Sequence, residues 1–155
     1  MGMYTEFFFR ARIRKDAPPG LLDWLNQLAN NPNAEMEPYD GHPFFACDHW
    51  ESVLIGRMAA YQISQPIQFR RCGENGVGRH ELIVHSSSNS HGSEIEAFVG
   101  WIAPFVDALP GTFLGYSLYE DSRPDGWHDT SPNRERPGLI FMSDPMPTTE
   151  TGPKA

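Results

Sequence analysis

Residues 4–15 constrain the fold more than any other stretch, because they alternate without a break. Phe7, Phe9, Ala11 and Ile13 fall on one side of an extended chain, while Glu6, Phe8, Arg10, Arg12 and Arg14 fall on the other. A period of two with one apolar side is the pattern of a strand that covers a core on one face only. That face has to be roofed by helices, and the opposite face stays open. The open side carries Arg10, Arg12 and Arg14 in a row on a chain whose formal net charge is -8, so the strand that sets the fold also poses the functional question.

The roof is found further along. Asp16 is placed to cap a helix that tolerates Pro18 and Pro19 in its first turn, and Leu21, Trp24, Leu25 and Leu28 form its apolar stripe until Asn30-Asn31-Pro32 stops it. A short helical turn is expected at 48–55, with Asp48 and Glu51 as a capping box. The second long helix begins at a Ser93/Glu96 capping box and buries Ile95, Phe98, Val99, Ile102, Val106 and Leu109. It bends where Pro104 crowds the carbonyl of Gly100, and it ends at Pro110-Gly111.

Extended segments are expected at 58–63, 67–72, 79–87, 112–121 and 139–142, with a glycine-rich hairpin connection at 73–78. Within 112–121, Leu114, Tyr116 and Leu118 share one face and Phe113, Ser117 and Tyr119 the other. The order predicts an α+β fold, a single antiparallel or mixed sheet of about five to six strands with two amphipathic helices packed on one face. Residues 1–142 form one domain, and 143–155, rich in proline and poor in apolar residues, read as a disordered tail.

Charge and cysteine usage narrow the classes. With 20 acidic residues against 12 basic ones, general binding to nucleic acid is disfavoured, because such binding needs positive charge to displace counterions. Cys47 and Cys72 are the only cysteines, and no signal-like or membrane-spanning apolar run is present, so the expected compartment is the cytoplasm with both thiols reduced and buried.

Several segments together resemble a family of small uncharacterised bacteriophage and prophage proteins. The matching residues are Tyr4-Thr5-Glu6, Arg14-Lys15-Asp16-Ala17-Pro18, His42-Pro43-Phe44-Phe45 with Trp50, and Ser88-Asn89. They continue with the run from Glu94 through Trp101 and Pro104 to Phe105, then Gly115-Tyr116-Ser117-Leu118-Tyr119-Glu120, and finally Pro137-Gly138-Leu139-Ile140. Ala17 stands where the family usually has Thr, and the loop 122–137 is longer than usual. The resemblance implies a phage gene context and brings with it no established activity, cofactor or catalytic residue.

No complete catalytic signature is present. His85-Ser86-Ser87 and His128-Asp129-Thr130 are two His-x-Ser/Thr triplets, which across a groove would resemble a two-histidine phosphoesterase or nucleotide-binding site using His85, Ser87, His128 and Thr130. The plainer reading is a strand-end histidine and a turn. There is no HExxH and no pair of CxxC motifs, and His80 and His85 point to opposite faces of one strand, so no metal and no cofactor is expected. The glycine-rich stretch 73–78 leads into a strand rather than a helix, which argues against a phosphate cradle.

The open face remains. Phe8, Arg10, Arg12, Arg14, Phe113 and Tyr119, joined by Arg70 and His85, supply the Arg and aromatic groups enriched at interfaces. The plain alternative is that these arginines pair with carboxylates such as Glu81 or Glu120. The leading expectation is a non-catalytic binding protein whose partner is a host or phage protein, or a second copy of itself. A single-stranded nucleic-acid binder on the same face is a further alternative.

Overall fold

The alternating segment becomes the middle strand of the molecule. β1 (Thr5–Ile13) turns Phe7, Phe9, Ala11 and Ile13 under the helices, none of them more than 4% exposed. The structure is a computed structural model that describes residues 5–56, 65–72, 78–88, 93–119 and 138–143. The expected strand at 58–63, most of the 73–78 connection, the loop 122–137 and nearly all of the tail lie outside those residues.

After β1 come α1 (Pro19–Asn30), a 3-10 turn (Pro43–Ala46), α2 (Trp50–Ile55), β2 (Ile67–Arg70) and β3 (His80–Ser88). α3 (Ser93–Ile102), a second 3-10 turn (Ala103–Phe105), β4 (Phe113–Tyr119) and β5 (Gly138–Phe141) complete the order. The five strands form one open sheet in the order β2-β3-β1-β4-β5, and every neighbouring pair is antiparallel. β1 and β2 therefore run parallel with β3 between them, and β3 and β4 run parallel with β1 between them. β1-α1-β2 and β3-α3-β4 are thus two interleaved split β-α-β units, the ferredoxin-like arrangement, with β5 added beyond β4. The α+β sheet with helices on one face is what the alternation of β1 required, with α2 as a third, shorter helix.

Phe98 of α3 is the contact that seats the roof. Its ring meets Phe7 and Phe9 edge-on, with centroids 5.7 and 5.3 Å apart, and all three are buried. Burial is worth about 1.5–3 kcal/mol for each such side chain, and the edge-to-face geometry adds roughly 0.5–1.5 kcal/mol a pair. A second aromatic cluster joins the helices to one another: Trp24 of α1, Phe45, Trp50 of α2 and Trp101 of α3 lie with ring centroids 4.9 to 5.9 Å apart. The Trp24 indole N–H also donates to the Glu37 carbonyl at 2.9 Å, which ties the connection after α1 to the roof.

Three local expectations are corrected. Pro18, not Asp16, precedes the first turn of α1, and the helix has no side-chain cap; the Asp16 carboxylate is taken by Arg14 instead. The Asp48/Glu51 capping box does not form either, because His49 occupies the N-cap position in the left-handed region, at φ 61°, with no cap bond. The long helix from Ser93 is shorter than its apolar pattern. Pro104 cannot donate to the Gly100 carbonyl, so the chain tightens into a 3-10 turn after Ile102, and Val106 then pairs in extended form with Ile13. Leu109 consequently lies on no helix face and is 79% exposed.

β4 carries a fourth correction. A bulge between Phe113 and Gly115 shifts the register, so Leu114 turns into the core while Phe113 turns out. The assignment of Leu114 to the same face as Tyr116 fails for that reason. Gly115 makes the bulge possible: opposite Phe9, it lies so close to the Phe8 carbonyl that a Cβ would collide with backbone.

Gly115→Ala is therefore expected to lower stability by about 1–3 kcal/mol, the usual range for forced overpacking. Gly100→Ala, in a helix with open space where the Cβ would go, is expected to raise it by about 0.5–1 kcal/mol. Urea midpoints of the two variants against the parent protein check both signs.

Candidate functional site

The register of the strands sorts the open face into rows. His85, Phe8 and Tyr116 lie side by side across β3, β1 and β4; next come Ile83 and Arg10, then Arg70, Glu81 and Arg12 across β2, β3 and β1. The two ends of the face differ in chemistry.

At the first end a carboxylate closes the surface. Glu6 Oε2 accepts from His85 Nε2 at 2.7 Å and from the Tyr116 hydroxyl at 2.9 Å. A carboxylate only accepts, so the imidazole proton sits on Nε2 and the phenol keeps its own. Tyr116 is pushed up to about 12, first by burial, then by its hydrogen bond to Glu6 and the charge of that carboxylate. Phe8 fills the space between the two donors, its ring 5.7 Å from each, stacked on Tyr116 and edge-on to His85.

Towards the other end the face is cationic and unfilled. Arg10 approaches Glu81 at 3.7 Å but keeps 63% of its side chain exposed, an ion pair of the kind worth little in water. Arg12 is exposed and makes no ion pair among the described residues. The pairing of the arginines within the sheet, the plain alternative, thus holds weakly for Arg10 and is not seen for Arg12.

Beside these arginines lies a groove, and the ladder explains it. β4 pairs with β1 only as far as Gly115 opposite Phe9. Further along β1 the neighbouring place is taken by the chain after α3, where the Arg14 N–H donates to the Phe105 carbonyl and the Asp107 N–H to the Arg12 carbonyl, both at 2.8 Å. Between Asp107 and the start of the β4 ladder, residues 108–112 swing out through a tight turn, in which Thr112 holds the Leu109 carbonyl and Gly111 takes φ 86°. The gap left behind is a cavity of about 550 Å³ that Arg10, Arg12, Leu109, Phe113 and Leu114 help to line. Arg79 and Asp107, an ion pair, form part of its wall.

Phe113 extends this groove into an apolar patch. Its ring packs against Phe141 at 5.7 Å, and β5 places Leu139 on the same face, opposite Tyr116. Leu109, Phe113, Leu139 and Phe141 are 79%, 52%, 57% and 51% exposed, a cluster of large apolar side chains outside the core.

The remaining sequence-selected residues fall elsewhere. Arg14 lies just past the end of β1 and is held by Asp16 at 3.0 and 3.3 Å, which raises the guanidinium and lowers the carboxyl; it lines a different cavity from the other two arginines. Tyr119 pairs with Thr5, a register position that belongs with Phe7 and Phe9 and not with Phe8. Ser87 is fully buried and its backbone N–H donates to the Gly56 carbonyl, so its hydroxyl is out of reach of a ligand. His128 and Thr130, the other half of the phosphoesterase reading, lie outside the described residues.

Cys47 and Cys72 are half-buried, not enclosed as expected. Cys72 Sγ stands 3.5 and 3.7 Å from the two ring nitrogens of His80, so the sulfur sits against the ring and not along one nitrogen's lone pair. The backbone N–H of Cys72 takes Nδ1 at 3.1 Å, and burial lowers His80, helped by the charges of Arg71 and Lys15. This is a neutral imidazole satisfied by backbone. Among the described residues no three His, Cys, Asp or Glu side chains converge as metal ligands, and no helix is long and apolar enough to cross a membrane.

Sequence reasoning missed Glu6 and Tyr116 as partners and Leu109, Leu139 and Phe141 as surface. The signal for Leu139 and Phe141 was present in their alternation with Ile140. Gly115 inside the alternating segment was the signal for the bulge that exposes Phe113.

Tyr116→Phe is expected to cost about 1 kcal/mol at neutral pH for the hydrogen bond lost to a partly exposed carboxylate. Because the folded-state value is raised from 10.0 to about 12, the hydroxyl's stabilisation is complete below pH 10 and is lost as pH rises through about 12. Urea denaturation of parent and variant through that window should show the two curves converging.

No protein-family model, curated protein or solved structure matches the chain.

Proposed function

We propose that this is a phage- or prophage-encoded cytoplasmic protein that acts without catalysis, by docking another protein on its open sheet face. The partner, from host or phage, presents an apolar side chain flanked by carboxylates to the groove between Arg10, Arg12, Leu109 and Phe113. The observation that carries this reading is the meeting of two kinds of group in one place. Four large apolar side chains, each more than half exposed, adjoin two exposed arginines on a chain of net charge -8.

Both halves have a physical use at an interface. Exposed apolar clusters rimmed by polar groups are the surfaces that gain most from being covered, and arginine and aromatic anchors dominate the energy of such contacts. Exposed guanidinium groups on an acidic protein also set the sign of the partner, since the rest of the surface repels an acidic chain and this face steers it in. The phage gene context rests on the resemblance of the sequence segments.

Nucleic acid is the weaker occupant. A stacked base needs an open ring face, whereas Phe8 is packed between Tyr116 and His85, and the Glu6 carboxylate sits among those rings where a phosphate would approach.

Arg10→Ser/Arg12→Ser and Phe113→Ser/Phe141→Ser are each expected to weaken partner binding by at least roughly tenfold. Arg14→Ser, which lies off this face, is expected to leave it unchanged. The partner is first captured from infected-host lysate on the parent protein, and its affinity for each variant is then measured at low and high salt. Equal affinity for all three variants sinks the docking reading. Sedimentation of the protein alone separates self-association, and loss of capture after nuclease treatment would mark a nucleic-acid occupant.

A further inference from the structure

At the end of the sheet, past β1, lies a second cavity of about 830 Å³. It opens between the C-terminal end of α3 and the chain that follows β5. We propose that this cavity binds a small molecule with an apolar body and a single carboxylate.

The space follows from three sequence choices. Gly100 has no side chain, and nothing stands within 4 Å of where a Cβ would be. Pro104 ends the helix one turn later, and Ala103 and Ala108 bring only methyl groups to the wall. Any of the larger residues common in helices at 100 would occupy the opening. With Val106 and Met142 contributing too, this part of the lining is apolar, and the depression, open to solvent on one side, has a volume in the range of small-ligand sites.

The other half of the lining is polar, and all of it but Ser143 is charged. Arg14, Lys15 and Arg79 share this lining with Asp16 and Asp107, a concentration of cationic side chains on a chain of net charge -8. The carboxylates hold two of those cations in place. Asp16 takes Nε and Nη2 of Arg14, and Asp107 takes Nε of Arg79. A guanidinium carries five N–H donors in a planar fork, so each arginine keeps donors beyond those its aspartate uses, and both forks are oriented before a ligand arrives. A planar fork matches a carboxylate in two-point contact. The apolar wall then takes the rest of the molecule.

The cavity is distinct from the docking groove, although the Arg79–Asp107 pair and Ala108 line both. Its test is independent of any protein partner. Decanoate serves as the probe and decan-1-ol as the same chain without the charge, with binding followed by calorimetry and by amide shifts in the full-length protein.

The expected result is saturable binding of decanoate, at least roughly tenfold tighter than decan-1-ol, with the largest shifts at Gly100, Ala108 and Met142. Gly100→Leu fills the space and Arg79→Gln removes a fork; each is expected to weaken decanoate roughly tenfold while the urea midpoint is retained. Arg71→Gln removes a positive charge outside the cavity, where Arg71 pairs with Asp23, and is expected to leave decanoate binding unchanged. Equal affinity for decanoate and decan-1-ol, shifts centred on Phe113 and Phe141, or undiminished binding by folded Gly100→Leu would each overturn the assignment.

Discussion

The contact of Phe98 with Phe7 and Phe9 is the one on which the rest of the structure depends. β1 lies in the middle of the sheet, so what covers its inner face decides where both split β-α-β units sit. α3 supplies that cover, and β3 and β4, the strands either side of α3 in sequence, are the two neighbours of β1 in space. Removing the Phe98 ring would open the layer between sheet and roof at the point where the two units interleave. The second cluster around Trp24 and Trp101 then fixes the helices against one another but touches the sheet less directly.

Fixing the middle of the sheet leaves its ends to local chemistry, and both cavities arise there. Pro104 stops α3 before its apolar pattern runs out, and the released chain uses Val106 to extend the ladder beside Ile13. The same short bridge therefore bounds two spaces. On the open side the excursion of residues 108–112 leaves the groove beside Arg10 and Arg12. At the end of the sheet the shortened helix leaves the cavity under Gly100. An unbroken helix to Leu109 would remove both, which is why the failure of the helical reading beyond Ile102 matters for function and not only for boundaries.

What could be read in the sequence was whatever had a regular period over many residues. β1, the stripe of α1, the ten residues of α3 and the alternation of β3 all follow such periods, and the α+β architecture follows from them. The points that failed were those where one residue outweighed a pattern. Val106 and Leu109 continue the helical spacing, but proline geometry at 104 breaks the helix beneath them. Phe113 and Leu114 alternate like any strand pair, but the close approach of Gly115 to Phe8 turns them over. The Asp16 cap failed for a related reason, since Asp16 had a stronger local partner in Arg14 than in the helix. For the candidate site, Arg10, Arg12 and Phe113 could be assigned to one face from the sequence; that they share a groove depends on the bulge and the bridge, neither of which has a sequence period.

The division of the open face rests on Glu6. It is one of two carboxylates placed among the outward residues of β1 and β3, and the two behave differently because of their neighbours. Glu81, between Arg12 and Arg70 in register, lies in a cationic row and approaches Arg10, one row along, only at 3.7 Å. Glu6 has no arginine in register, so its oxygens are satisfied by His85 and Tyr116, and those donors draw the aromatic side chains down onto Phe8. A carboxylate that gathers an imidazole and a phenol closes that end of the face, whereas one that meets arginines leaves guanidinium groups extended into solvent. Exchanging the two positions would exchange the ends. The cationic groove lies beside Arg10 and Arg12, and not beside Phe8, because the first acid on β1 is already satisfied by a histidine and a tyrosine.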